Sequence, residues 1–278
     1  MSTTEICYRG LTEETFSLYG DKLYHYTTNM GFIGVLSSKK LWATKIQYLN
    51  DSEELSYAIS MTKELSENAL TCLVEPIKAK LDRLSSINVC TFSLTENGDL
   101  LSQWRGYAHS MGYAIGFDKA SLQTMLSSEL TLSPCIYNPQ HQKETLVDLI
   151  KGISSEYVQD AGHKFYKDAV NKYMEIFVQK FLERAPMIKH PGFEEEKEWR
   201  IITKPISAMS KNWKVRCGKY SLIPYYEIEI ERLPIVEIIV APTPHRELAM
   251  QAVCDALESF NFDTKMRILP SQIPFRDF

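Results

Sequence analysis

The sequence is short of glycine and of long apolar runs, and both shortages restrict what the protein can be. Only 12 of its 278 residues are glycine, below the average of roughly 7%, so a glycine-rich phosphate loop is not expected as the main binding device. The most apolar stretch, residues 233–242, contains Glu237 and is shorter than the about 20 apolar residues of a spanning helix. Residues 1–20 contain three glutamates and no apolar core, so no signal peptide is expected. We therefore expect a cytoplasmic protein without a membrane partner.

Cysteine and histidine are few and are not clustered. The six cysteines include no Cys-x-x-Cys pair, and the six histidines form no His-x-x-Glu-His or similar motif. Zinc sites are normally built from such closely spaced ligands. The sequence therefore predicts no metal cofactor, and a metal-dependent nuclease is disfavoured for the same reason.

Charge of one sign is not in excess either. The chain has 31 Lys and Arg against 35 Asp and Glu, a formal net charge of −4, which excludes a protein that coats nucleic acid through bulk positive charge. Hydrophobic residues make up 44% and charged residues 24%, as is typical of globular proteins. One stretch departs from this balance, because residues 199–220 contain six basic and no acidic residues, interleaved with tryptophan and tyrosine. Such a stretch can hold a nucleic acid, and a solvated loop is the alternative interpretation.

Short apolar segments typical of strands alternate with helical segments along the chain. Strands are predicted at 22–26, 41–44, 87–94, 111–117, 135–137, 198–203, 220–231, 236–241 and 265–269. Helices are predicted after Thr28, after Asp51 or Ser52, at 72–84, at 121–130, and at about 243–260 with Pro244 in the first position. Residues 140–184 form a long helical region, broken near Gly162. Because no linker or repeat is present, we expect a single α+β domain over residues 1–278, with a helical insertion at about 140–184.

The first motif suited to ligand binding is Leu-Tyr-His-Tyr-Thr-Thr at residues 23–28. His25 lies near the end of a predicted strand and beside the N-terminus of the next helix, where free N–H groups and the helix dipole favour a phosphate. His25 can hydrogen-bond a ribose or an amide, and Tyr26 can stack on a ring. The alternative is a half-buried histidine that is bonded to the backbone.

Two further motifs lie in the middle of the chain. In Phe-Ser-Leu-Thr, Ser93 and Thr95 share one side of a strand, so their short hydroxyls are available to a ligand. In Ser-Gln-Trp-Arg-Gly-Tyr, Trp104, Arg105 and Tyr107 can clamp an anionic, aromatic ligand. The alternative for the second motif is a tryptophan in the core and an arginine in a surface ion pair.

The fourth motif is the acidic segment Glu-Glu-Glu-Lys-Glu-Trp-Arg at residues 194–200. If a strand begins near Glu196, its period of two puts Glu196, Glu198 and Arg200 on one face. A carboxylate held near the C1 atom of a sugar stabilises a transition state that resembles an oxocarbenium ion, as in glycoside hydrolysis. The alternative is a solvated acidic turn.

Segments spread over nearly the whole chain resemble a large, mainly bacterial family catalogued as domain of unknown function 2971. The matching segments are Leu-Tyr-His-Tyr-Thr at 23–27, Leu-Trp-Ala-Thr at 41–44, Leu-Asn-Asp at 49–51, Phe-Ser at 92–93, Trp-Arg-Gly-Tyr at 104–107, Gly-Phe-Asp at 116–118, Glu-Lys-Glu-Trp-Arg at 196–200 and Ser-Gln-Ile-Pro-Phe-Arg at 271–276. The family name by itself implies no activity.

A more distant resemblance is to the ADP-ribosyltransferase superfamily. It rests on the order of three motifs, His-Tyr-Thr near the N-terminus, Phe-Ser-x-Thr in a middle strand and Glu-x-Glu at the entry to a late strand. The His-Tyr-Thr start and the helix after it look especially like the DarT-type transferases, which modify DNA bases. The resemblance implies a split β-sheet core, here with a long helical insertion, and NAD as co-substrate.

The resemblance also implies roles for residues of this chain. Glu198 takes the catalytic role, and Glu196 matches an acid that helps to activate the acceptor. NAD contacts are assigned to two sets of residues, His25, Tyr26, Thr27, Ser93 and Thr95 from the shared motifs, and Trp104, Arg105 and Tyr107 from their residue types. Substrate contacts are assigned to Arg200, Asn50 and Asp51, and Arg105 and Arg200 are also candidates for the pyrophosphate.

The leading hypothesis is an NAD-dependent ADP-ribosyltransferase that acts on a macromolecule, either a nucleic acid or a protein, as a toxin or an anti-phage effector. An antitoxin or inhibitor is an expected partner of such an enzyme. Two alternatives stay open. One is an enzyme that hydrolyses NAD or a related nucleotide without an acceptor, and the other is a non-catalytic module that binds a ligand or a partner on the same fold.

Overall fold

The computed structural model describes residues 21–49, 54–84, 87–108, 111–161, 167–218, 220–263 and 266–274. The fold is α+β, as predicted. The strands are β1 (Lys22–Thr28), β2 (Lys40–Lys45), β3 (Cys90–Thr95), β4 (Gly112–Asp118), β5 (Leu130–Pro134), β6 (Glu198–Thr203), β7 (Trp213–Cys217), β8 (Leu222–Glu229), β9 (Ile235–Val240) and β10 (Arg267–Pro270). The helices are α1 (Asn29–Ser38), α2 (Glu54–Leu65), α3 (Thr71–Leu81), α4 (Lys119–Met125), α5 (Pro139–Ala161), α6 (Lys167–Arg184) and α7 (Arg246–Ser259). Residues 1–20, where no signal peptide is expected, and Asn50 and Asp51 lie outside the described residues.

One mixed sheet runs through the described residues. Its strand order is β10-β9-β4-β1-β3-β2-β8-β7, and β6 pairs with β3 and β5 outside this path. The pairing of β9 with β10 is parallel, and the other strand pairs are antiparallel. The sequence of β9, Ile-Val-Glu-Ile-Ile-Val, is buried along most of its length, as is typical of β-branched residues in a central strand.

The sheet divides at β3, because β1 and β2 pair with different parts of the same edge of this strand. Along one edge, β6 pairs with β3 from Thr91 to Thr95. On the other edge, β1 pairs at Thr95 and β2 pairs at Cys90 and Thr91. The two strands therefore diverge beside residues 92–94, and this fork leaves part of the β3 edge open to side chains.

Helix α1 connects the two diverging strands. It begins after Thr28, whose hydroxyl accepts a hydrogen bond from the Gly31 N–H at 3.3 Å, as predicted for this N-cap. Its buried residues Phe32, Val35 and Leu36 belong to the core that the sheet forms with α1, α4 and α7. The helix therefore holds both arms of the fork to one core.

The other long helices pack around a second core. Helices α5 and α6 confirm the helical region predicted at 140–184, and the predicted break near Gly162 lies outside the described residues. Their buried stripe includes Ile150, Phe177 and Phe181, and this core meets the sheet at Ile202 of β6. Among the helices of the described residues, none combines the length and the apolar content that spanning a bilayer requires.

Two of the predicted elements were wrong in position. A strand is predicted at 135–137, but the strand in this region is β5, which pairs with β6 and ends at Pro134. Ile136 forms an isolated bridge to Ile188. The helix predicted at 121–130 is α4, which begins earlier because Asp118 caps it, accepting from the Ser121 N–H at 2.8 Å. Residue 130 therefore opens a strand instead of closing a helix.

The C-terminal third also differs from prediction. Helix α7 begins at Arg246 and not at Pro244, since the Thr243 hydroxyl accepts from the His245 N–H at 3.2 Å and forms a turn first. Strand β7 was not predicted, because its sequence Trp-Lys-Val-Arg-Cys has no fully buried residue. It pairs with β8 and extends the sheet into the basic stretch of the sequence.

Gly34 of α1 allows a test of how closely this helix packs on β2. A Cβ atom added at Gly34 would lie 2.4 Å from the Trp42 ring, whereas one added at Gly152 of α5 would meet nothing within 4 Å. We expect Gly152→Ala to raise the free energy of unfolding by up to about 1 kcal/mol and Gly34→Ala to lower it by about 1–3 kcal/mol. Urea denaturation followed by circular dichroism measures both values, and a stabilising Gly34→Ala would contradict this packing.

Candidate functional site

A cleft opens beside the fork, where β1, β3 and the start of β6 meet. It has about 340 Å³ of open space between its walls, a volume that includes the open mouth. Its walls are formed by Tyr24, His25, Tyr26, Ser93, Leu94, Thr95, Gln103, Tyr107, Glu196 and Glu198. Seven of these are residues that the sequence analysis assigned to catalysis or to NAD, and the fold brings them together from distant parts of the chain. Their functional assignment stays a prediction.

His25 is held at the point where β1 leaves β3. Its Nδ1 atom donates a hydrogen bond to the Ser93 carbonyl at 2.9 Å, and its ring stacks on Phe92 with centroids 4.2 Å apart. Burial lowers the pKa of His25 to about 4, while the bond to Ser93 opposes this shift and the charge of Arg216 adds to it. The imidazole is therefore neutral near pH 7. Because a carbonyl only accepts, the proton lies on Nδ1 and Nε2 is an acceptor.

Tyr26 lines the cleft with its ring and uses its hydroxyl to hold a loop. The hydroxyl donates to the Asn97 carbonyl and accepts from the Leu100 N–H, both at 2.9 Å. The ring meets the edge of Trp104 with centroids 4.6 Å apart. Trp104 is fully buried and donates to Asp99 at 2.7 Å, so it supports the cleft from behind and does not form its wall.

The cleft walls leave out several of the assigned residues. Thr27 is buried next to Gly31 of α1, and Arg105 is exposed. Arg200 is buried behind Glu198. Asn50 and Asp51, as noted above, lie outside the described residues.

Glu198 opens β6 and has both carboxylate oxygens bound by cations. Arg200 donates from Nε to Oε1 and from Nη2 to Oε2, each at 2.8 Å. Lys189 donates to Oε2 at 2.6 Å. Glu198 is 5% exposed and Arg200 is 1% exposed. The two side chains share a face of β6 because they are two residues apart, as predicted, but that face at Arg200 is buried.

The cations keep Glu198 ionised despite its burial. Burial alone raises the pKa of this carboxyl, but the charges and hydrogen bonds of Arg200 and Lys189 outweigh it and lower the pKa to about 2. Burial also disfavours the charged form of Lys189, and the surrounding carboxylates outweigh this effect and raise its pKa. Glu54 of α2 accepts from Arg200 at 2.8 Å, and burial raises its pKa.

Glu196 is the more accessible of the two cleft carboxylates. Its side chain is 16% exposed, against 6% for that of Glu198. Lys189 donates to one of its oxygens at 2.5 Å, and the Tyr107 hydroxyl donates to the other at 3.3 Å. One ammonium group thus contacts both cleft carboxylates.

The backbone between the two glutamates makes a sharp turn. Glu196 ends the 3-10 helix Pro191–Glu196, so the expectation that it belongs to the strand was wrong. Lys197 follows with a φ of 41°, a left-handed conformation that is uncommon for a residue with a side chain. The Thr95 hydroxyl holds the turn by donating to the Glu196 carbonyl at 2.6 Å. This turn directs the Glu196 side chain into the cleft although it lies outside the strand.

The arrangement suits stabilisation of a positive charge. A carboxylate has about four lone-pair sites, and Glu198 uses three of them for Arg200 and Lys189. One lone-pair site is therefore not used by these three bonds, and Glu198 is part of the cleft wall. His25 of β1 adds a neutral acceptor on the other side of β3 from Glu198. Among the described residues, no group of three or more His, Cys, Asp or Glu is arranged to hold a metal ion.

Sequence reasoning missed the residues that hold the two carboxylates. Lys189, which is 2% exposed, binds both of them, and the Tyr137 hydroxyl accepts from the Glu198 N–H at 2.8 Å. Glu54 comes from a helix more than a hundred residues away and binds Arg200, the other cation on Glu198. The one local signal for Lys189 is its position in the apolar segment Pro-Met-Ile-Lys-His-Pro. A lysine in such a segment is either exposed on a loop or buried with a carboxylate, and the sequence does not choose between them.

The lowered pKa of Glu198 makes its contribution to stability depend on pH. This pKa falls from 4.5 to about 2 on folding, so the contribution is complete above pH 4.5 and is lost as the pH falls towards 2. We expect Glu198→Gln to lower the free energy of unfolding at pH 7 by about 3 kcal/mol. The difference from the unsubstituted protein should shrink between pH 4.5 and 2, as measured by urea denaturation.

A matched control for this experiment is Glu129→Gln, because Glu129 forms an exposed ion pair with Lys204. An exposed pair contributes about 0–1 kcal/mol, so this variant should differ little from the unsubstituted protein at any pH. A loss of stability in Glu198→Gln that stays constant from pH 7 to pH 2 would contradict the ionised, clamped state.

Comparison with known proteins gives a family and no activity. No curated protein and no solved structure matches the sequence. Residues 103–201 match the model of a family described as "Protein of unknown function (DUF2971)". This segment begins at Gln103 on the cleft wall and includes Glu196 and Glu198. The match confirms the predicted DUF2971 relationship over residues 103–201.

Proposed function

We propose that this protein is an NAD-dependent ADP-ribosyltransferase that binds the nicotinamide ribose of NAD in the cleft beside the fork. The observation that supports this proposal most is that an ionised, buried carboxylate and a neutral imidazole line one cleft from strands on the two sides of β3. Glu198 is ionised because Arg200 and Lys189 bind it. His25 is neutral because its burial and the charge of Arg216 disfavour protonation, and its bond to the Ser93 carbonyl fixes the proton on Nδ1.

The residues of the cleft have properties that ADP-ribosyl transfer requires. Departure of nicotinamide with the electrons of its glycosidic bond develops positive charge on the ribose, and a fixed anion nearby lowers the energy of that state. Glu198 supplies this anion, and because its oxygens are already held by Arg200 and Lys189 it needs no reorganisation during the reaction. His25 accepts a hydrogen bond from a ribose hydroxyl through Nε2.

Glu196 is suited to the acceptor. Its carboxylate is more exposed than that of Glu198 and contacts the Tyr107 hydroxyl and Lys189. In this proposal Glu196 takes the proton from the acceptor nucleophile as the nucleophile bonds to the ribose. The acceptor is a macromolecule, a nucleic acid or a protein, in keeping with the exposed basic residues Lys211 and Lys214 in the stretch at residues 199–220.

The fork supports a fold-level part of the proposal. Strands β1 and β2 separate along one edge of β3, and we propose that this division corresponds to the split sheet of ADP-ribosyltransferases. Helices α5 and α6 are then the insertion into that core. A role as a toxin or anti-phage effector, with a neutralising partner, belongs to the same proposal and rests on the sequence resemblance.

The proposal is tested by following nicotinamide release from NAD. We expect release by the unsubstituted protein and a decrease of about 10²–10³-fold in Glu198→Gln, because the charge that stabilises the reacting ribose is removed. Glu129→Gln is the matched control. Glu129 is an exposed carboxylate that pairs with Lys204 and is not part of the cleft wall, so nicotinamide release should match that of the unsubstituted protein.

The products separate the remaining alternatives. Free ADP-ribose alone indicates hydrolysis, and a modified nucleic acid or protein indicates transfer. NAD binding without release, unchanged in Glu198→Gln, indicates a non-catalytic binding module. Neither binding nor release of nicotinamide by the folded protein would contradict the proposal.

The pH dependence of release gives an independent check. The pKa of Glu198 is about 2 and that of His25 is about 4, so neither group changes charge between pH 5.5 and 8. We expect nicotinamide release to vary by less than about twofold over this range when it is measured in a single turnover. A change in the rate of release centred near pH 6.5, the ordinary pKa of histidine, would contradict the neutral role of His25 if that change disappears in His25→Asn.

A further inference from the structure

Arg216 of β7 is a half-buried cation without a carboxylate partner among the described residues. Its Nη2 atom donates to the Thr44 hydroxyl at 3.0 Å, and its guanidinium lies over the Tyr225 ring, 5.9 Å from the centroid. Burial without a counter-charge lowers its pKa. Unpaired charges are costly to bury, so this position is one where an anionic ligand would be stabilising.

The strand registers relate Arg216 to the cleft. Thr91 and Thr95 of β3 lie on one face with Ser93 between them, because side chains alternate along a strand. Thr95 pairs with Glu198, and Thr91 pairs with Thr44, whose hydroxyl binds Arg216. A row of hydroxyls thus leads from Glu198 to Arg216. The four residues from Thr95 to Thr91 correspond to about 13 Å.

His25 gives a second link between the two places. It lines the cleft and bonds the Ser93 carbonyl, in the middle of that row. The charge of Arg216 reaches the imidazole and disfavours its protonation. Arg216, through Thr44 of β2, therefore lies on the edge of β3 that His25 contacts, whereas Glu198 of β6 lies on the other edge.

The two ends of this row carry opposite charge. At one end, the carboxylates of Glu54, Glu196 and Glu198 exceed the two cations that bind them, Lys189 and Arg200. At the other end, Arg216 makes no ion pair with any residue in the described parts of the chain. A ligand that fits both ends has a cationic or cation-forming group near Glu198 and an anionic group about one nucleotide length away.

We propose that Arg216 binds a phosphate of the nucleotide whose ribose lies between His25 and Glu198. This proposal rests on the proposed function. A guanidinium binds phosphate through parallel hydrogen bonds, and Arg216 already has one nitrogen fixed by Thr44. Arg200, an earlier candidate for the pyrophosphate, is 1% exposed and donates to Glu198, to Glu54 and to the Pro186 carbonyl at 2.7 Å. Arg216 is instead the cation at the far end of the row of hydroxyls.

The test compares two ligands that differ in phosphate, ADP-ribose and nicotinamide riboside, by isothermal titration calorimetry. We expect Arg216→Gln to weaken ADP-ribose binding by about 10–100-fold, as for the loss of charge-assisted hydrogen bonds, and to leave nicotinamide riboside binding unchanged. Arg216→Lys keeps the charge but cannot form the parallel hydrogen bonds, so its affinity for ADP-ribose should lie between those of the unsubstituted protein and Arg216→Gln. Arg232→Gln is the matched control, because Arg232 is an exposed arginine paired with Asp263, and it should bind both ligands normally.

The outcomes separate this inference from the proposed function. If the unsubstituted protein binds ADP-ribose and Arg216→Gln does not, the phosphate subsite is supported even when no nicotinamide is released from NAD. The phosphate subsite is overturned if Arg216→Gln binds ADP-ribose as well as the unsubstituted protein does. It is also overturned if Arg216→Gln loses affinity for both ligands equally. Neither result bears on the proposed catalytic activity, which nicotinamide release tests separately. A folded protein that binds neither ligand contradicts both. Thermal unfolding of each variant confirms that it is folded before titration.

Discussion

The buried guanidinium of Arg200 is the interaction on which the site and much of the architecture depend. It binds Glu198 next to it on β6, Glu54 at the start of α2 and the Pro186 carbonyl after α6. A buried arginine is tolerated only when its donors are satisfied. The helical layer and the sheet are therefore held in the one arrangement that brings these acceptors together. Glu198 inherits its position and its ionised state from the same requirement.

The fork in the sheet explains why a cleft exists here at all. Where β1 and β2 separate, part of the β3 edge has no neighbouring strand, and a side chain takes over the pairing. His25 does so by binding the Ser93 carbonyl. The same bond fixes the tautomer of the imidazole and opens a space beside it. The cleft and the neutral imidazole beside it thus have one cause, which is the divergence of the two strands that α1 connects.

Local patterns predicted a large part of this arrangement. The strand at residues 198–203 and the helical region at 140–184 were placed correctly, because the period of apolar residues reports which face is buried. The same period put Glu198 and Arg200 on one face. It did not reveal that this face is buried at Arg200, so an arginine assigned to substrate is in fact a partner of Glu198. The position of β5 was also missed, because the apolar residues at 130–134 suit either a helix end or a strand.

The sequence by itself determined the α+β class, the family relationship and the residue types that line the cleft. Only the tertiary structure decided which charges meet. Lys189 lies between Glu196 and Glu198 because the turn at Lys197 and the end of α6 bring them together. Arg216 reaches the Thr44 hydroxyl of β2 because β7 joins the sheet next to β8, which pairs with β2. Periodicity along a chain specifies the face that a side chain occupies, whereas its partner across that face depends on how distant elements pack.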